Sequence, residues 1–87
     1  MKNELIRQLK EQFLSDCDEI AQKTIRELGI NNPEVGFVLP MGLFQLKETL
    51  INAYPQVQHE LGSLTRDEFI KIIEDAVHTT MDKYFEK

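Results

Sequence analysis

Tryptophan is absent, cysteine occurs once, histidine twice, and glycine and proline together only seven times in 87 residues. Each scarcity excludes something. A lone thiol, Cys17, has no internal partner for a disulfide, so a reducing, cytoplasmic setting is expected. Few glycines and prolines argue against a low-complexity or disordered chain, as do 41% apolar and 29% charged residues. No apolar run approaches the ~20 residues that cross a bilayer, so no membrane partner is expected. The first eight residues, Met1 to Gln8, mix charge with apolar side chains and lack the apolar core of a secretory signal.

Basic residues are also few. Ten Lys and Arg stand against fifteen Asp and Glu, for a formal charge of −5. The basic residues are scattered and make no stripe. Phosphate backbones are repelled by such a surface, so nucleic acid is not an expected partner. Catalysis lacks its usual parts: no Gly-rich phosphate loop, no Cys-x-x-Cys, and no nucleophile with a recognisable base. The expectation is a non-enzyme without a cofactor.

What is present is helical patterning over one domain, residues 1–87. Ile6, Leu9, Phe13, Cys17, Ile20, Thr24 and Leu28 recur at three- and four-residue intervals and predict a helix over about 4–28. Asn3 is placed to cap it, and Gly29 to end it, with an apolar contact between Ile25 and Ile30. The segment from Gly36 to Gly42 reads as an apolar connection, with a short extended piece at 37–39. A second helix is expected from Pro40, a residue suited to a first helical position. Its stripe is Leu43, Leu46, Leu50 and Ala53 or Tyr54. Pro55 predicts a kink or break, then a short helix to Leu61 and a stop at Gly62. Thr65 and Glu68 form a capping box, with Leu64 and Phe69 as its hydrophobic staple. A last helix follows, with Phe69, Ile70, Ile73, Ala76, Val77, Thr80, Met81 and Tyr84 on one face, and it should reach the final few residues. The fold class is therefore all-α, a three- to four-helix bundle with a long first and a long capped last helix.

Three functional readings follow. The first is a non-catalytic interaction module, a small regulator or adaptor, with protein as its partner and a second copy of itself as the simplest one. The first helix carries an apolar arc wider than the ~100° a surface helix needs. Its flanks, Leu5, Leu14, Ala21 and Ile25, are candidate homodimer contacts. The residues Phe37, Val38, Met41 and Phe44 are a second candidate surface, because Met and Phe suit adaptable contacts. The alternative for that segment is a loop plugging the bundle end. The second reading is divalent-metal binding by Glu74, His78 and Asp82, which lie one helical turn apart. The third is an acidic inhibitor or nucleic-acid mimic that blocks a basic partner. Cys17 falls on the apolar row of the first helix and reads as a core residue, its thiol kept unreactive by acidic neighbours.

Overall fold

The computed structural model describes residues 2–85. Three α-helices, α1 (Lys2–Leu28), α2 (Val35–Val57) and α3 (Arg66–Phe85), pack on one another, with a 3-10 turn at Gln58–Glu60. No strand occurs among the described residues. No helix among them is long and apolar enough to cross a membrane. The expected continuation of the last helix past Phe85 lies outside the described residues.

Local signals account for most of the helix boundaries. The capping box closes as its chemistry requires. The Glu68 amide donates to the Thr65 hydroxyl at 3.1 Å, and the Thr65 amide donates to the Glu68 carboxylate at 2.9 Å. Such a cap contributes about 1 kcal/mol. Gly29 and Gly62 both take positive φ, +88° and +62°, where a Cβ would be strained. At Gly29 the backbone turns out of α1 while its amide still donates to the Ile25 carbonyl at 2.7 Å.

Other boundaries differ from expectation. Asn3 lies inside α1, which begins at Lys2. Ile30 is largely exposed instead of closing over Ile25. The segment from Gly36 to Gly42 is neither a connection nor extended: it is the first part of α2. Asn32 shapes the turn that leads into that helix, its side-chain oxygen accepting the Glu34 amide at 2.8 Å. Pro40 and Pro55 both sit within α2, which runs without a break to Val57. A proline inside a helix costs roughly 3 kcal/mol. The opposing term is a stripe of inward side chains at 35, 39, 43, 46, 50, 54 and 57. Of these Val35, Leu39, Leu43 and Tyr54 are fully buried and the rest pack against the core. Both prolines lie off that stripe, so carbonyls they leave unpaired can face water.

The helices are arranged with α1 and α3 parallel and α2 antiparallel to both. Lys2 pairs with Glu68 at one end of the α1–α3 contact, and Asp18 with Lys83 near the other. Between α2 and α3, Lys47 pairs with Glu74, and the Tyr54 hydroxyl donates to the Leu64 carbonyl at 3.0 Å. Gly42 brings α2 close to α1, since a Cβ there would stand 3.2 Å from Ile20 Cγ2. The core runs the length of this triangle, with Phe13, Cys17 and Ala21 of α1 meeting Leu39 and Leu43 of α2 and Phe69, Ile73 and Ala76 of α3. Ile72 is buried too, beside the row expected from spacing.

The long first helix sets the shape. The molecule measures 43 × 23 × 17 Å with a radius of gyration of 14.0 Å, against ~12 Å for a compact chain of this length. Asp18 already faces Lys83 and Tyr84, near the end of α3. The rest of α1, residues 19–28, spans roughly 15 Å. It runs past the last described turn of α3 and packs against the start of α2.

Asp18 is the polar joint of the α1–α3 contact. It accepts the Tyr84 hydroxyl at 2.6 Å and the Lys83 ammonium at 2.9 Å. These two donors, Tyr84 foremost, hold the Asp18 carboxyl below the usual carboxylate range. A carboxyl lowered by folding stabilises the native state above its unfolded value of ~3.9, and that contribution is lost as the pH falls through the folded value. Glu68 acts in the same direction, held down by Lys2 and then by the Thr65 amide. Melting temperatures of Asp18→Asn are therefore expected to fall less steeply than the parent's below about pH 5. An unchanged slope would remove Asp18 from the acid response.

Candidate functional site

The described residues offer little for chemistry. No group of three or more His, Cys, Asp or Glu side chains is placed to hold a metal ion among them. Glu74, His78 and Asp82 do share a face of α3, but Glu74 is turned to Lys47 at 3.0 Å. Cys17 is buried on the apolar row. Burial pushes its thiol up, and Asp16 adds to that shift against a contact with Thr80 that works the other way. It is a core thiol, kept protonated.

The flanks of α1 divide. Ala21 has no exposed surface at all and belongs to the core. Leu5 and Ile25 are half-buried against that core, so the chain itself covers much of the wide arc. Leu14 is exposed at 36% and borders an open groove between α1 and α3 with Lys10, Ala76 and His78.

On α2 the four remaining candidates come together. The helix turns 100° per residue, so Phe37, Val38, Met41 and Phe44 fall on one side, opposite Leu39 and Leu43. Phe37 is 75% exposed, Met41 58%, Phe44 56% and Val38 41%. Leu39 and Leu43, between them in sequence, are completely buried. The segment is thus two-sided: part of it plugs the core, and part faces solvent as an apolar helix surface. Helix formation, not loop plasticity, is what separates the two sets.

The surroundings of this face carry charge of mainly one sign. From Val35 to Leu46 there is no charged residue. Glu34 and Glu48 stand seven residues either side of Met41 and thus within ~20° of it around the helix. Both are exposed. Toward α3, the Lys47 ammonium lies 5.7 Å from the Phe44 ring centroid while pairing with Glu74. Beyond it opens a groove of about 390 Å³ bordered by Lys47, Glu74, Val77, His78, Met81 and Asp82. Sequence reasoning named the four apolar residues but not this acidic border. The three- and four-residue spacing of the inward stripe, extended back to Val35, was the signal that could have found it.

Comparison with protein-family models, with curated proteins and with solved structures finds no match.

Proposed function

We propose that this chain is a non-catalytic protein-interaction module that docks a partner on the outward face of α2. One observation carries the reading: Phe37, Val38, Met41 and Phe44 are exposed together on a helix whose buried stripe is complete without them. From these exposures and the size of such side chains, the face amounts to roughly 430 Å² of surface. That is the size of the largest apolar patch on a typical monomer, which is often functional, and it is contiguous on one element. A small adaptor or regulatory chain is the corresponding class of protein. The single thiol without an internal partner supports a reducing, cytoplasmic setting.

Site-specific photocrosslinking in the native host tests the proposal. A benzophenone side chain at Phe37 or Phe44 is expected to give one discrete adduct. The same group at exposed Gln12, on α1, is expected to give none. An adduct of twice the chain mass identifies a second copy as the partner, and any other discrete mass identifies another protein. Absence of adducts at both α2 positions would contradict the proposal.

A further inference from the structure

We propose that the occupant of the α2 face is an amphipathic helix of another protein, with about three turns of apolar stripe flanked by Lys or Arg. This rests on reading that face as a docking surface, and charge complementarity selects the partner. The apolar strip ends at Glu34 on one side and Glu48 on the other. The adjoining groove adds Glu74 and Asp82 around Val77 and Met81. Three carboxylates, Glu34, Glu48 and Asp82, thus border the surface, while Glu74 and Lys47 offset each other, and Lys71, one turn before Glu74, is 3.9 Å from Asp75. A helix with cations at both ends of an apolar stripe would meet carboxylates at both ends.

A second copy fits this pattern poorly. A two-fold axis through Met41 with antiparallel helices sets Glu34 opposite Glu48 of the copy, twice. A parallel arrangement sets each glutamate against itself. Like charges so opposed are unfavourable, and each copy already carries −5. Size points to a reach beyond α2 as well. Standard interfaces bury ~800 Å² per partner, more than the apolar face of α2 supplies. An occupant lying along α2 gains the remainder in the groove beside Lys47, where its basic residues meet Asp82. Apolar burial then supplies affinity, and the acidic border supplies selection.

Two synthetic helical peptides test this, with the same Leu and Phe stripe but Lys flanks in one and Glu flanks in the other. Their binding to the full chain is read by fluorescence anisotropy at low and high salt. The Lys-flanked peptide is expected to bind at least tenfold more tightly, with the difference shrinking as salt rises. Glu34→Lys with Glu48→Lys should reverse the order of the two peptides. Phe37→Ser with Phe44→Ser should weaken the Lys-flanked peptide at least tenfold, with circular dichroism confirming that each variant folds. Equal binding of the two peptides, binding of neither, or a preference indifferent to the Glu34 and Glu48 changes would overturn the proposal. So would a dimer in sedimentation equilibrium that Phe37→Ser with Phe44→Ser dissolves, since the occupant is then a second copy. The photocrosslinked adduct distinguishes these failures from failure of the docking surface itself.

Discussion

Phe69→Ala is expected to cost about 3–5 kcal/mol of folding stability. The ring is where the three helices meet. It stands edge-on to Phe13 of α1, with centroids 5.6 Å apart and planes at 89°. It also lies against Tyr54 of α2 at 5.1 Å. Just before it, the capping box and the buried Leu64 fix the start of α3. Truncation therefore opens a cavity beside both neighbouring helices and loosens the entry into the third. A domain of this length has roughly 4–13 kcal/mol in total. Urea unfolding followed by circular dichroism should show a midpoint lowered sharply or a chain unfolded without denaturant. A loss below about 1 kcal/mol would mean that the aromatic cluster is not the joint between the helices.

Leu39→Ala is the second large effect, expected at about 2–5 kcal/mol. Leu39 has no exposed surface, and the core it belongs to draws on all three helices. The substitution bears on the least expected part of the fold, the helical start of α2 between Gly36 and Gly42. An extended conformation there would turn positions 37, 39, 41 and 43 to one side, whereas a helix sets Leu39 and Leu43 against Phe37 and Met41. A large loss at Leu39 beside a small one at Met41→Ala fits the helix and excludes the extended piece. Comparable losses at both positions would return the segment to a loop folded inward.

The parts of the fold legible in the sequence were those with local causes. The Thr65–Glu68 box, the stops at Gly29 and Gly62 and the apolar row of α1 each depend on residues within a few positions of one another. The beginning of α2 has no such local cause. Gly36, Pro40 and Gly42 all disfavour a helix interior. The helix there is held by long-range burial of Val35 and Leu39, while Gly42 allows the close approach to Ile20. Propensity argued one way, tertiary packing the other, and packing prevailed. The candidate site inherited that difficulty. Phe37, Val38, Met41 and Phe44 were identifiable as unusual, but a loop has no periodicity to say which side chains turn outward. On α1 the apolar arc measured how much a helix must bury, without saying that the same chain covers Ala21, Leu5 and Ile25.

The central claim is that the outward face of α2 is kept apolar for a partner and not for the fold. Urea unfolding of Phe37→Ser combined with Phe44→Ser tests it most directly. Exposed positions that contribute no core packing change stability by about 0.5 kcal/mol or less each. The double variant is expected within about 1 kcal/mol of the parent, with the denaturant slope unchanged. A loss above about 2 kcal/mol would show that these rings hold the bundle together, and would contradict the docking surface.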